Sequence, residues 1–254
     1  MGELAGKTAL LISVANDSSI SAGCARVFHR AGARQILTCR NDRAEPRARP
    51  VADAVVAEAL FLLDVTDPDT MDAAFDQVAE RFGRLDILVH SIAFAPKRDL
   101  HAGLLDCSAE GFATAMAVSC HSLIELTRRA APLMDGGGSV MTMSYYGAEK
   151  VIENYNVMGP VKAALEATVR YLAVELGPRG IRVNALSPGP IPTRAASGLA
   201  HFDALMADAA AHAPQHRLVT VDEVGEMACF LASDRGRAIT GGVHYVDAGA
   251  NILG

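Results

Sequence analysis

The sequence predicts an α/β fold: a single doubly wound parallel sheet of seven strands with helices on both faces. Three observations lead there. Short apolar runs alternate along the chain with longer segments of helical spacing. The short runs read as nearly continuous apolar stretches, as expected of strands buried on both faces of a parallel sheet. No linker, internal repeat or low-complexity stretch divides the 254 residues, a length that one α/β domain commonly fills.

The elements follow in order. Thr8–Val14 (TALLISV) reads as the first strand, and Ser19–Gly32 as a helix that stops at its glycine. Gln35–Cys39 and Ala59–Val65 read as strands two and three, with Arg43–Pro50 (RAEPRARP) between them expected to be loop. Asp67–Phe82 has helical spacing, and Pro68 suits a first turn. Leu85–Ile92 (LDILVHSI) is the fourth strand. Ser108–Met134 reads as one long helix capped by Ser108. Ser139–Ser144 is strand five, a helix covers Asn156–Leu176, and Ile181–Leu186 is strand six. Pro188–Ser197 (PGPIPTRAAS) is a loop where such sheets bind ligands, hence a candidate lid as well as a plain connection. Val221–Ala232 is a helix and Val243–Val246 the last strand. Right-handed crossovers turn this order into a doubly wound sheet.

Composition narrows the function. Hydrophobic residues make up 50% and charged residues 20%, as in ordinary soluble domains. A net charge of −6 argues against nucleic-acid and anionic-membrane partners. No apolar run is long enough to cross a bilayer, and Gly6 and Lys7 interrupt any leader-like segment. The five cysteines include no C-x-x-C pair. They are expected to be reduced thiols of a cytoplasmic protein, with no metal site.

The segment after the first strand, Ser13-Val-Ala-Asn-Asp-Ser-Ser-Ile-Ser-Ala-Gly23, occupies the place of a pyrophosphate-binding turn. G-x-G-x-x-G is absent, with Ser13 where the first glycine is expected, although small residues dominate. Ser19 is a candidate N-cap or phosphate ligand. A plain strand–turn–helix with Gly23 for packing reads equally well. The second strand ends in Cys39-Arg40-Asn41-Asp42-Arg43. Arginines there suit the 2′-phosphate of NADP, whereas an acidic residue suits the ribose of NAD. Arg40 and Arg43 give a slight lean to NADPH over NADH, and Asp42 opposes it. Asp64 and Val65 end the third strand and could meet an adenine edge; Asp64 could instead serve a turn.

Tyr155 and Lys162 are spaced two helical turns apart, so both could face one way. A lysine there can hold ribose hydroxyls, and a tyrosine hydroxyl can hydrogen-bond a substrate carbonyl. Taken alone, the pair also fits a core aromatic and a surface lysine. Pro160 between them is tolerated only in a first turn, which places the helix start near Asn156–Met158.

The chain resembles the short-chain dehydrogenase/reductases, specifically the bacterial enoyl-[acyl-carrier-protein] reductase branch. The residues that carry the likeness are SVANDSSI (Ser13–Ile20), LDVTD (Leu63–Asp67), VHSIAFAP (Val89–Pro96), SYYGAEKV (Ser144–Val151), NYNVMG (Asn154–Gly159), GPRGIRVNALSPGPIPTRAASG (Gly177–Gly198) and VDAG (Val246–Gly249). Gly159 stands where the wider superfamily has lysine, and Tyr155-x6-Lys162 has the enoyl reductase spacing. His90-Ser91-Ile92-Ala93 stands where carbonyl-reducing members have Asn-Asn-Ala-Gly.

The resemblance implies a single-domain Rossmann fold over residues 1–254, with a substrate-binding loop at about 190–206. It implies reduction of a trans-2-enoyl thioester of acyl-carrier protein by NADH or NADPH in fatty acid biosynthesis. Tyr155, Lys162 and Tyr145 would be catalytic. Ser13, Ala15, Ser19, Ile20, Arg40, Asp64, Val65, Ser91, Ile92, Ala93, Lys162, Ile191 and Thr193 would line the cofactor. Tyr145, Tyr155, Met158, Phe202 and Met206 would line the acyl pocket, with Ile191 as a further candidate wall. The resemblance further implies a homotetramer built on the two long helices. Arg194 and Lys97-Arg98 are candidates for meeting the acidic carrier protein. Ser13 and Ala93 depart from glycines of the family, which bears on cofactor affinity and on the wall shared with diphenyl-ether inhibitors.

Overall fold

The computed structural model describes residues 2–193 and 202–253. Seven strands form one sheet in the order β3-β2-β1-β4-β5-β6-β7, and every neighbouring pair is parallel. They are β1 (Thr8–Ile12), β2 (Arg34–Cys39), β3 (Ala59–Leu62), β4 (Ile87–His90), β5 (Gly138–Met143), β6 (Ile181–Pro188) and β7 (Val243–Val246). The order reverses between β1 and β4, so the crevice at their carboxyl ends is the switch point where such sheets take ligands.

Strand side chains alternate between two cores. Leu11, Leu37, Val89, Met141 and Leu186 point to one, closed by α1 (Ile20–Arg30), α2 (Glu45–Ala54) and α9 (Val221–Ala232). Leu10, Ile36, Leu88, Val140 and Val183 point to the other, closed by α3 (Pro68–Phe82), α6 (Ser122–Ala130) and α7 (Met158–Leu176). The central strands are apolar because both faces are covered. The outer strands β3 and β7 are only partly buried, since each lacks a neighbour on one side. Helices α1 and α9 cross so closely that a Cβ at Gly23 would lie 2.2 Å from the Val221 carbonyl oxygen. Gly23 is therefore a packing glycine, one of the two readings the sequence offered.

Two predicted segments come out differently. Arg43–Pro50 is not a loop, because α2 begins at Glu45. Pro46 sits in its first turn, where a missing N–H costs little. Pro50 lies inside the helix and removes one backbone hydrogen bond there. Burial of Ala48, Val51 and Ala52 against the α1 side of the sheet supplies what local propensity lacks. The single helix expected over Ser108–Met134 is broken. Ser108 does cap it, accepting from the Gly111 N–H at 3.0 Å. However, α5 (Ala109–Met116) gives way to a π-helical turn over Ala117–His121 before α6 begins. The short α4 (Lys97–His101) precedes it, and α8 (Phe202–His212) precedes α9. Among the described residues no helix is long and apolar enough to cross a membrane.

Candidate active site

The β1–α1 turn offers backbone donors. Ser19 caps α1: its Oγ accepts from Ala22 N–H at 3.3 Å and donates to the Asn16 carbonyl at 2.7 Å. Ser21 ties the helix to β1 by donating to the Ile12 carbonyl at 3.1 Å. The N–H groups of Ile20 and Ser21 make no hydrogen bond with a described residue. They point out of a helix N-terminus at the switch point, as a pyrophosphate site requires. Ser13 has a φ of 66°, the left-handed region that favours glycine. Its N–H is held by Thr38 Oγ1 at 3.0 Å. The turn thus keeps a glycine geometry without the glycine, and the residues present fit a dinucleotide phosphate.

The tyrosines and the lysine gather around the carboxyl end of β5, where Lys162 reaches the Met143 carbonyl and the Tyr145 and Tyr155 rings pack together. Tyr145 directly follows the Ser144 that extends β5. Tyr155 lies outside the helix that carries Lys162, in keeping with the predicted start near Asn156–Met158, so helical spacing is not what relates the two. It sits before α7 in a turn flanked by Asn154 (φ 63°) and Asn156 (φ 46°). Asparagine is among the few residues that tolerate this conformation. The Asn156 side chain fixes the turn by donating to the Leu100 carbonyl at 2.9 Å. Helix α7 starts at Met158, within the predicted window, with Pro160 in its first turn. The rings of Tyr145 and Tyr155 lie 4.8 Å apart at 60°. Gly147 makes room for them, since a Cβ there would lie 2.5 Å from the Tyr155 ring. Neither phenol hydrogen-bonds to a described residue.

Lys162 is 3% exposed, and its Nζ donates to the Met143 carbonyl at 2.6 Å. Burial lowers its pKa to about 8, while Cys120 and Glu166 work the other way. Burial raises Tyr145 to about 12 and pushes Tyr155 up further. Both phenols therefore stay protonated at neutral pH and can act as donors.

Several residues beneath this group were not singled out from the sequence. His90 is fully buried, with Nδ1 2.7 Å from Thr142 Oγ1 and Nε2 2.8 Å from Ser122 Oγ. Burial, and then Lys162, depress its pKa to about 3, so it is neutral. Ser122 Oγ donates to the Val118 carbonyl at 2.6 Å inside the π turn, so His90 Nε2 is the donor to Ser122. The π turn also directs Ser119 Oγ to both the N–H and the carbonyl of Phe94, at 2.8 and 2.9 Å. Ser119 thereby holds the loop that follows β4. Ser144 and Glu166 form a buried pair at 2.5 Å.

The remaining candidates follow the same sheet edge. Ala15, Ser91 and Ile92 are half-buried, and Ala93 is exposed. Thr193 N–H bonds the Ile191 carbonyl at 2.7 Å. The Ile191 side chain belongs to the α1-side core, and Met158 packs with Tyr155 and Val161. Met206 is half-buried on α8. Arg194, residues 195–201 of the expected loop and the Phe202 side chain lie outside the described residues. Asp64 fills the turn role: its Oδ1 accepts from Thr66 N–H and hydroxyl at 2.9 and 2.7 Å. Its Oδ2 accepts from Arg40 Nε at 2.6 Å. Partial burial opposes the Asp64 carboxylate, but the Arg40 and Thr66 hydrogen bonds outweigh it and hold the pKa below the usual range.

A parallel sheet with an open helix N-terminus at its switch point and a buried lysine beside two phenols defines a nicotinamide-dependent reductase of the short-chain type. The chain matches the family described as Enoyl-(Acyl carrier protein) reductase over residues 14–251, and it belongs to that family. An enoyl-[acyl-carrier-protein] reductase [NADH] of Rickettsia felis is 45% identical, covering 100% of this chain and 97% of the relative. The solved NADH enzyme of Aquifex aeolicus is 46% identical with a TM-score of 0.96, covering all of both chains. The Bacillus cereus reductase, solved with NADP+ and an indole naphthyridinone, is 42% identical with a TM-score of 0.97, again over all of both chains. The expected lean to NADPH is corrected by these findings. Arg40, one of the two arginines on which it rested, is engaged by Asp64, and two of these three relatives are named for NADH.

Proposed function

We propose that this chain reduces the trans-2 double bond of an enoyl thioester carried by acyl-carrier protein, with NADH as the preferred donor. The observation that carries the reading is the buried Lys162 anchored on β5 beside two phenols that no described residue engages. A reduced nicotinamide held here would supply the hydride that C3 of the substrate accepts. Tyr155 donates a hydrogen bond to the thioester carbonyl oxygen and stabilises the negative charge that moves there as C3 accepts the hydride. The C2–C3 π electrons become an enolate, and a proton from solvent taken up at C2 completes the saturated thioester. Tyr145 packs on the Tyr155 ring and shapes the same pocket. Lys162 holds the nicotinamide ribose and adds positive charge. Ile20 and Ser21 N–H groups bind the pyrophosphate, and Ser91–Ala93 border the adenosine. Met158 and Met206 supply apolar wall.

Exposed Tyr171 and Val174 on α7, with Leu105 before α5, support self-association through these helices into a homotetramer. Exposed Lys97 and Arg98 support contact with an acidic carrier protein. Light scattering should return the mass of four 26.7 kDa chains. The function is tested by following oxidation of NADH and of NADPH with a trans-2-enoyl and with a 3-oxoacyl thioester. Turnover of the enoyl substrate, faster with NADH, supports the reading. Turnover of the 3-oxoacyl substrate alone overturns it.

A further inference from the structure

Glu166 follows Lys162 by one turn on the inner face of α7 and is 5% exposed. A carboxylate rarely accepts such burial without a partner. Its Oε1 accepts from Ser144 Oγ at 2.5 Å, and Ser144 is itself 4% exposed. Glu166 and Lys162 make no ion pair within 4 Å, so Glu166 does not reach the site as a direct counter-charge. It reaches the strand instead. Ser144 lies between Met143, whose carbonyl receives the Lys162 ammonium, and Tyr145. On its other side the Ser144 N–H bonds the Leu186 carbonyl at 2.7 Å.

We propose that Glu166 is a positioning residue: by holding Ser144 it fixes the carboxyl end of β5, and with it the Met143 carbonyl that anchors Lys162 and the backbone from which Tyr145 projects. This rests on the enoyl reductase reading of those side chains. The surroundings agree. Ser187 and Tyr245 are register partners in β6 and β7, and their buried hydroxyls have no hydrogen-bond partner. Glu149 faces the Tyr245 hydroxyl and, after burial, helps to raise its pKa. Among the three side chains of this row, Ser144, Ser187 and Tyr245, Ser144 is the one whose hydroxyl is held, and Glu166 holds it. The groups facing Lys162 are His90 from β4, Cys120 from the π turn and Glu166 from its own helix. Those facing Glu166 are Ser144, Glu149, Arg170, Lys162, Tyr155 and Tyr245. Burial raises the Glu166 pKa, against the Ser144 hydrogen bond; once ionised, its charge favours the protonated lysine.

The test is a double-mutant cycle on the full chain with Glu166→Ala, Ser144→Ala and both together, plus Glu166→Gln. Glu166→Ala is expected to lower kcat/KM by about a hundredfold, the scale of a misplaced reacting geometry. The double variant should be no worse than the poorer single variant. Glu166→Gln, which keeps the hydrogen bond, should recover most of the rate while its alkaline limb moves to lower pH. Losses that multiply independently, a Glu166→Ala rate within about twofold of wild type, or a Glu166→Gln loss as deep as that of alanine would each overturn the proposal. If wild type turns over no enoyl thioester, the functional reading fails separately. NADH titration of the same variants then decides the clamp: weakened, non-additive binding supports it, and unchanged binding overturns it.

Discussion

The β1–α1 turn and the β5–α7 segment lie on the same edge of one sheet and are built by opposite means. The first works with backbone. Its donors are the Ile20 and Ser21 N–H groups, its side chains cap locally, and it keeps a left-handed Ser13 where glycine is easier. The second works with side chains taken out of water. Lys162, Glu166, Ser144 and His90 are all buried, and burial displaces the pKa of Lys162, Glu166 and His90. The difference teaches where identity matters. A backbone site tolerates substitution as long as the chain path survives, whereas a buried polar site fails when one partner is removed.

That contrast sets the scale of the expected effects. Lys162→Ala should be the most damaging change, lowering kcat/KM about a thousandfold, with Tyr155→Phe next at about a hundredfold. Loss of absorbance of the reduced nicotinamide measures both. Rates within a few-fold of wild type would break the distinction between the two regions.

The pH dependence sharpens it. Activity should fall as pH rises through about 8, where Lys162 loses its proton. Stability should move the other way. The folded pKa of this lysine lies below its unfolded value, so between about pH 8 and 10.5 the unfolded chain binds more protons. The contribution of Lys162 to stability therefore rises across that window, and Lys162→Met should remove the slope in a plot of Tm against pH. His90 has the same sign at acid pH. Its folded pKa of about 3 lies below the ordinary 6.5, so its stability contribution is present above 6.5 and lost as pH falls towards 3. The acid loss of Tm should be shallower in His90→Gln.

The smallest effect belongs to the first region. Ser13→Gly relieves a left-handed serine and should stabilise the chain by about 1 kcal/mol, less any loss from the freer unfolded glycine. NADH affinity should hold or improve, read by fluorescence titration. Destabilisation would show that the serine side chain contributes more than its strain costs.

How far the sequence speaks follows the same division. The strands were legible because double-sided burial makes them largely apolar, and Ser19 and Ser108 announced their helices as caps, as Pro68 did from a first turn. Helix α2 was not, since two prolines and two arginines mask the few apolar residues that bury it. The π turn was not, since Ala117–His121 reads as ordinary helix and the partners of Ser119 and Ser122, Phe94 and His90, lie across the fold. Tyr155 and Lys162 were visible as a motif, but not the turn that separates Tyr155 from the helix, which depends on two left-handed asparagines. In the sequence Glu166 is one acid among several of a helical run, and Ser144 ends a strand. Only their meeting across α7 and β5 distinguishes them.

The most direct test of the central claim follows the hydride. Wild-type protein is given NADH deuterated at the transferring position and a trans-2-enoyl thioester, and the product is read by NMR. The account predicts deuterium at C3 and a solvent-derived proton at C2 of a saturated thioester. Product without deuterium at C3, or label found only in an alcohol from a 3-oxoacyl substrate, would contradict it.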